Sequence, residues 1–272
     1  MKVFCIISDE RAFRSKSPAM HSAVMRRVGM DAVYVPFMVG PTDVKDAIDG
    51  IRALNIAGAN VTVPYKETVM PLLDRVEEEA ASVGAVNTIV RSEDKLIGFN
   101  TDVGGVVDAL EEAGFVARGK TCLVFGAGGA ARAVLYALNK LGAGLVTLAG
   151  RRRDSVLQLG NRFSANATDL ASLSNRVLKA DLIINATSVS SIEESPEMGR
   201  FVSGLTIDGC ELVMDVNYGR TVNFWQDQAD RSGAGFMDGI PMLAHQARRS
   251  FELWTGSAVD VKYFKEGLGK VE

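Results

Sequence analysis

The sequence predicts an α/β protein of two domains: an N-terminal α/β domain and a second domain built on a doubly wound parallel sheet, with C-terminal helices returning to the first. Three observations predict this. The first hundred residues alternate short apolar strand-like runs with helical ones. The stretch Thr121-Cys122-Leu123-Val124-Phe125-Gly126-Ala127-Gly128-Gly129-Ala130-Ala131 then sets an apolar strand, three glycines within four positions and an apolar helical run in that order. The strands after it are apolar along their whole length and separated by helical stretches, the pattern of a parallel sheet covered on both faces.

The elements follow in order. Residues 3–7 read as the first strand. Ser17-Pro18 opens a helix, with Ser17 as N-cap and Pro18 at the first helical position, and Gly29 ends it. A strand over 32–37 is followed by a helix that starts at Thr42 or Asp43 and runs to about residue 54. Residues 59–63 form a strand closed by Pro64; one helix is expected over 64–74 and a second, acidic at its start, over 76–82. Residues 86–90 and 96–100 read as a hairpin around Ser92-Glu93-Asp94. A helix over 103–113, ended by Gly114, links the halves. Beyond the glycine stretch, strands are expected over 145–149, 182–185, 211–216 and 235–237, and the tail is helical over 242–253 and 259–265. The domains are expected as 1–102 with 240–272, and as 103–239.

Composition excludes several classes. A chain of 272 residues with 47% apolar and 23% charged residues builds a packed core. A net charge of −3 and no broad basic face argue against a nucleic-acid partner. No apolar run approaches the ~20 residues of a membrane span, and the N-terminus is too short for a signal peptide. Cys5, Cys122 and Cys210 sit in or beside apolar runs at spacings that match no metal site, so buried reduced thiols in a cytoplasmic protein are expected. Two histidines, His21 and His245, cannot form a histidine-rich metal centre.

The glycines fit G-x-G-x-x-A. Gly126 permits the sharp turn, Gly128 lets backbone approach a pyrophosphate, and small Ala131 lets the helix pack on the strand. The helix N-terminus then faces the phosphates. The pattern predicts a Rossmann dinucleotide site; the bland alternative is a tight strand–helix turn with no ligand. At the end of its second strand stands Gly150-Arg151-Arg152-Arg153-Asp154 rather than a ribose-binding carboxylate. Arginines there suit the 2′-phosphate of NADP. The bland alternative is a solvated basic helix start, and Asp154 could cap the helix or reach a ribose and favour NAD.

The first domain carries a second cluster. Asn60 and Thr62 point to one face of a strand, Pro64 ends it, and Lys66 follows in the first helical turn, where the helix dipole disfavours a cation. Asn87-Thr88, Asn100-Thr101-Asp102 and Ser15-Lys16-Ser17 add amides, hydroxyls and a carboxylate at strand ends. Singly each has a structural explanation; Asp102 would serve as N-cap of the next helix, and Ser17 as the cap already named. Together they gather where open α/β sheets bind ligands.

These stretches, with Asn185-Ala186-Thr187-Ser188 and the segment from Gly239 to Gly256, make the chain resemble the shikimate dehydrogenase family over nearly its full length. The resemblance implies reversible NADPH-dependent reduction of 3-dehydroshikimate to shikimate, a step of aromatic amino acid and chorismate biosynthesis. It implies a substrate site lined by Ser15, Ser17, Asn60, Thr62, Asn87, Asp102, Tyr218 and Gln246, with Lys66 and Asp102 as the catalytic pair. It implies a cofactor site at Gly126, Ala127, Gly128, Gly129, Ala130, Arg151, Arg152, Asn185, Thr187, Ser188, Gly239 and Met242, with substrate held against nicotinamide in the cleft between domains. No metal is implied, and the chain would act as monomer or homodimer. The family pattern is departed from in four places. Asp9, Arg11 and Arg14 replace its Gly-x-Pro-x-x-His, and Gly150-Arg151-Arg152 replaces Asn-Arg-Thr. Ser190-Ser191 replaces Gly-Met, and the loop Gly219-Arg220-Thr221 is shortened and lacks its usual proline. These changes admit a paralogue acting on quinate or an amino analogue with NAD or NADP, or a ligand-binding module on the same fold.

Overall fold

The computed structural model describes residues 1–174 and 176–269. The chain divides into two compact units, Met1–Gly105 with Leu243–Glu272, and Val106–Met242.

The first unit begins with β1 (Lys2–Ser8), α1 (Ser17–Arg27), β2 (Ala32–Met38), α2 (Val44–Ala53) and β3 (Gly58–Val61). It continues with β4 (Arg75–Val76), α3 (Glu78–Val83), β5 (Thr88–Ser92) and β6 (Lys95–Phe99), and ends within the first turn of α4 (Asp102–Glu112), whose later residues belong to the second unit. The sheet order is β2-β1-β3-β5-β6-β4. β1 pairs parallel with β2 and β3, and the β5–β6 hairpin joins antiparallel to β3. Val44, Ile48 and Ile51 bury one face of α2 against Ile7, Val61 and Ile89 of the sheet, the spacing of an amphipathic helix.

Two local expectations fail here. No helix spans 64–74: the segment runs through turns into a short 3-10 turn at Met70–Leu72. Pro71 would press its ring on the carbonyl of Glu67 in an α-helix, and the Lys66 carbonyl accepts from the amide of Val86 instead. Ser17 is the first helical residue rather than the cap; Lys16 occupies that position, and Ser15 Oγ accepts from the Ser17 amide at 3.2 Å.

The second unit holds β7 (Thr121–Phe125), α5 (Gly129–Lys140), β8 (Leu145–Gly150), α6 (Arg153–Phe163) and β9 (Asn166–Asp169). After β10 (Val177–Lys179) and β11 (Leu182–Asn185) come α7 (Pro196–Ser203), β12 (Thr206–Asp208), β13 (Leu212–Asp215), α8 (Phe224–Ser232) and β14 (Gly235–Met237). The main sheet runs β14-β13-β11-β7-β8-β9, all parallel, with the sequence order reversing between β7 and β11. That is the dinucleotide-binding arrangement. Phe125 and Trp225 pack at 4.8 Å between centroids inside its core. β9, β10 and β12 lie outside the expected elements; they are short and mostly exposed, so they carry no apolar run.

Two helices close the chain, α9 (Ile240–Thr255) and α10 (Val261–Gly269). Within the first unit α10 lies on α1, with the Arg27 guanidinium 3.8 Å from the Tyr263 ring centroid. Trp254 of α9 covers β3 so closely that a Cβ at Gly58 would meet its ring at 2.4 Å. His21 is wholly buried beside it, stacked 4.6 Å from Tyr34, and among the described residues neither ring nitrogen has a hydrogen-bond partner. Burial pushes its pKa down to about 3.

Candidate active site

Sheet direction gathers the candidate residues of the first unit. β1 and β3 are parallel, so the segments carrying Ser15 and Thr62 leave the sheet at the same edge. β5 is antiparallel, and Asn60 pairs with Thr88 and Thr88 with Phe99. Asn87 therefore enters, and Asp102 leaves, at that same edge. Ser8 Oγ donates to the Val63 carbonyl at 2.6 Å, tying the end of β1 to the turn before Lys66.

At this edge Lys66 Nζ donates to Asp102 Oδ2 at 2.5 Å. The two side chains are only 15% and 7% exposed. The other oxygen, Oδ1, accepts from Asn87 Nδ2 at 2.9 Å, so both carboxylate oxygens have fixed donors. Asp102 is not the cap of its helix. It lies inside the first turn, and Asn100 Oδ1 accepts from the Val103 amide at 3.3 Å. Lys66 stands in a turn, not in a helical first turn.

Asn87 is held from behind. Its Oδ1 accepts from the Thr101 amide at 2.7 Å and from Thr88 Oγ1 at 3.0 Å. The hydroxyls of Thr88, Thr101 and Ser250 lie 2.8–3.2 Å from one another. Ser250 comes from α9, as does Gln246, whose Oε1 accepts from Asn87 Nδ2 at 3.3 Å. Asn60 closes the knot. Its Nδ2 reaches the Asn87 carbonyl, Thr88 Oγ1 and Ser250 Oγ at 3.1–3.2 Å, and its Oδ1 accepts from the Tyr34 hydroxyl at 2.7 Å. Buried polar groups this fully paired define one arrangement. Asn60, Lys66, Asn87, Asp102 and Gln246 are thus joined by hydrogen bonds. Ser15, Ser17 and Thr62 sit on segments at the same edge, Ser17 buried and the other two half-buried. Sequence reasoning quoted Thr88 and Thr101 without a role, covered Ser250 only within the Gly239–Gly256 segment, and did not reach Tyr34. Ser250 could be found as a hydroxyl one turn beyond Gln246 on an otherwise buried helix face.

In the replaced segment before Ser15, the Arg11 guanidinium grips Asp9 at 2.5 and 2.7 Å, which holds the Asp9 carboxyl below its ordinary value. Arg14 is exposed.

In the second unit, Gly126 has φ +117°, and a Cβ there would lie 2.6 Å from the Ala186 carbonyl at the end of β11. Glycine alone fits that turn. Gly128 is the N-cap of α5, and a Cβ on it would meet nothing within 4 Å, so the space a pyrophosphate needs is open. Ala127, Gly129 and Ala130 are half-buried around it, and Ala131 is buried against the sheet. Arg151, Arg152 and Arg153 are all exposed just beyond the end of β8. A dinucleotide with a charged adenosine end fits these residues. Asn185 is engaged internally: it donates to Asp215 Oδ1 at 2.8 Å and accepts from the Thr187 hydroxyl at 2.7 Å. Ser188 is exposed. A Cβ on Gly239 would meet the Val216 carbonyl at 2.2 Å, so that glycine is required by backbone contact, and Met242 is buried. Tyr218 belongs to this unit and is half-buried. Asp215, at the end of an apolar strand, is the polar centre that sequence reasoning missed: it also accepts from Asn217 and Asn223 at 3.0 and 2.7 Å.

Among the described residues no group of His, Cys, Asp and Glu could hold a metal ion, and no helix is long and apolar enough to cross a membrane.

Family models match in three places: the shikimate dehydrogenase substrate binding domain at residues 10–89, shikimate / quinate 5-dehydrogenase at 109–222, and the shikimate 5'-dehydrogenase C-terminal domain at 239–266. The shikimate dehydrogenase (NADP(+)) of Pyrococcus abyssi is 40% identical over 274 residues, covering 99% of this chain and 100% of that one. The chain belongs to the shikimate dehydrogenase family. The enzyme of the same name from Desulforamulus reducens is 38% identical over 94% of this chain and 91% of its own. Among solved family members, shikimate dehydrogenase from Aquifex aeolicus superposes with a TM-score of 0.88 at 34% identity, covering 98% of this chain and 97% of that one. The Thermus thermophilus shikimate 5-dehydrogenase in complex with NADP(H) and shikimate superposes with a TM-score of 0.86 at 31% identity, covering 99% of each chain.

Proposed function

We propose that this chain is an NADP-dependent shikimate dehydrogenase that interconverts shikimate and 3-dehydroshikimate. The observation that carries the reading is the Lys66–Asp102 pair, with both carboxylate oxygens occupied by donors at a sheet edge rich in amides and hydroxyls. Such an edge matches a substrate made of hydroxyls and one carboxylate.

In the proposed reaction bound NADP(H) supplies or accepts the hydride. The chain orients and moves the proton. Lys66 as the neutral amine takes the proton from the reacting hydroxyl as the ketone forms, and as the resulting ammonium returns it in reduction and stabilises developing oxyanion charge. Asp102 holds that hydroxyl and, through Oδ2, keeps the Lys66 ammonium in place. Asn87 fixes the carboxylate from the other side. Ser15 and Ser17 are assigned to the substrate carboxylate; Thr62, Gln246 and Tyr218 are assigned to the ring hydroxyls. Asn60 supports the wall behind Asn87, as its internal partners favour. Gly126 to Ala130 take the pyrophosphate, and Arg151 and Arg152 the 2′-phosphate. Asn185, Thr187, Ser188, Gly239 and Met242 shape the remaining cofactor wall.

The test is a matrix of steady-state rates with shikimate, quinate and aminoshikimate against NADP and NAD. The highest kcat/KM is expected for shikimate with NADP. Faster turnover of quinate or aminoshikimate would replace the substrate assignment, and tight binding without turnover on every pair would make the chain a binding module.

A further inference from the structure

Two of the segments that depart from the family pattern are joined in the structure. Arg220 places Nε and Nη2 on Glu194 Oε1 at 3.0 and 2.7 Å, and Nη1 on the backbone carbonyl of Tyr218 at 2.6 Å. Glu194 Oε2 in turn accepts from the amides of Ser190 and Ser191 at 2.7 and 3.2 Å. One guanidinium therefore bridges the segment after β11 and the residue proposed to meet substrate.

The other side of Tyr218 is also pinned. Asn217 donates to the Thr187 carbonyl at 2.9 Å and to Ser190 Oγ at 3.0 Å, and its own carbonyl accepts from the Gly239 amide at 2.8 Å. Tyr218 is followed by Gly219 at φ +72°, a residue with no stiffness of its own. A loop that lacks proline loses more backbone entropy on settling into one conformation, so its order has to come from contacts. Ser190 supplies a hydroxyl that a glycine could not, and Arg220 supplies the fork.

We propose that Glu194 and Arg220 are positioning residues for Tyr218, an ion-pair clamp that orders a loop lacking proline. The proposal rests on the assignment of Tyr218 to substrate. Burial works against the charge on Glu194, yet the Arg220 guanidinium and the two amides hold its carboxyl below its ordinary value, so the clamp is charged at neutral pH. The side chains are 26% and 30% exposed. At that exposure the pair contributes modestly to overall stability, and its effect is local.

The test compares Arg220→Ala, Arg220→Lys, Glu194→Gln, the Arg220→Ala/Glu194→Gln double variant and Tyr218→Ala in the full chain. Glu194→Gln keeps an oxygen for the Ser190 and Ser191 amides while breaking the ion pair, which guards the fold. Each of Arg220→Ala and Glu194→Gln should raise the KM for shikimate by roughly 3- to 10-fold, the net scale of one ordinary hydrogen bond, since the partly exposed pair is screened by solvent, and leave the KM for NADP and the melting temperature near wild type. Arg220→Lys should recover part of the loss. The double variant should match the worse single variant, since the two residues act as one device. An unchanged KM for shikimate in Arg220→Ala, or equal rises in both KM values with a lowered melting temperature, would reduce the pair to a structural one. Tyr218→Ala separates the two readings: if it leaves the KM for shikimate unchanged, the Tyr218 assignment fails and the clamp fails with it.

Discussion

Asp102→Asn tests the catalytic pair most sharply, because the geometry fixes what an amide would do there. Both carboxylate oxygens act as acceptors, Oδ2 from Lys66 at 2.5 Å and Oδ1 from Asn87 at 2.9 Å. An asparagine has one acceptor oxygen and one donating NH₂. Whichever way it turns, a donor faces a donor. If the oxygen stays on Lys66, the NH₂ confronts Asn87; if it turns, the NH₂ confronts the ammonium. One charge-assisted bond is lost, about 1.5–3 kcal/mol. Realised in the transition state, that is a roughly 10- to 150-fold fall in kcat. Lys66→Ala removes the proton-transferring group itself and should lower kcat by roughly 10²–10⁴-fold. The Lys66→Ala/Asp102→Asn double variant should then lie close to Lys66→Ala alone, because Asp102 acts largely through Lys66. The assay is the initial rate of NADPH formation at saturating shikimate and NADP, with both KM values measured separately. A double variant whose loss equals the product of the single losses would refute a coupled pair. So would a Lys66→Ala variant with wild-type kcat and only a raised KM for shikimate.

Three further outcomes are expected. Arg151→Ala should raise the KM for NADP far more than that for NAD; equal effects would end the 2′-phosphate assignment. Ser15→Ala should raise the KM for shikimate with kcat near wild type, and should cost up to about 1 kcal/mol of stability because Ser15 Oγ accepts from the Ser17 amide at 3.2 Å. His21 has its pKa depressed from 6.5 to about 3 by burial, so the unfolded chain binds its proton first as pH falls. The stability this neutral histidine permits is complete above pH 6.5 and is lost progressively towards pH 3, amounting to about 2 kcal/mol by pH 5. His21→Phe should therefore show a shallower fall in denaturation midpoint between pH 7 and pH 5 than the wild type, and parallel falls would contradict it.

Much of the fold and site is legible in the sequence, for identifiable reasons. The glycine turn is readable because Gly126 meets a steric demand that glycine alone satisfies and Gly128 follows it at the spacing of a phosphate-binding turn. The strand ends carrying Lys66, Asn87 and Asp102 are readable because apolar runs stop abruptly in polar residues. The helix expected over 64–74 fails because the helical spacing of Tyr65, Val69 and Leu72 hides the obstacle at Pro71. Ser17 reads as a cap because Ser before Pro is the usual signature, and the hydroxyl two residues earlier does that work. The knot behind Asn87 is beyond reach. Its members Asn60 and Ser250 are 190 residues apart, and nothing local records that they meet. Asp215 is open to suspicion, since a carboxylate closing an apolar strand needs partners once buried.

The same knot has a consequence for how the protein is made. Thr101 and Ser250 are separated by 149 residues, yet their hydroxyls lie 3.0 Å apart. A ribosome adding roughly 5–20 residues per second takes about 7–30 s to cover that interval. Through all of it Lys66 and Asp102 are already synthesised, while the hydroxyl and amide that complete the wall behind them do not yet exist. The proposed catalytic pair emerges well before α9 and is among the last parts to be locked, so a nascent chain halted before α9 would hold Lys66 and Asp102 without the frame that aims them.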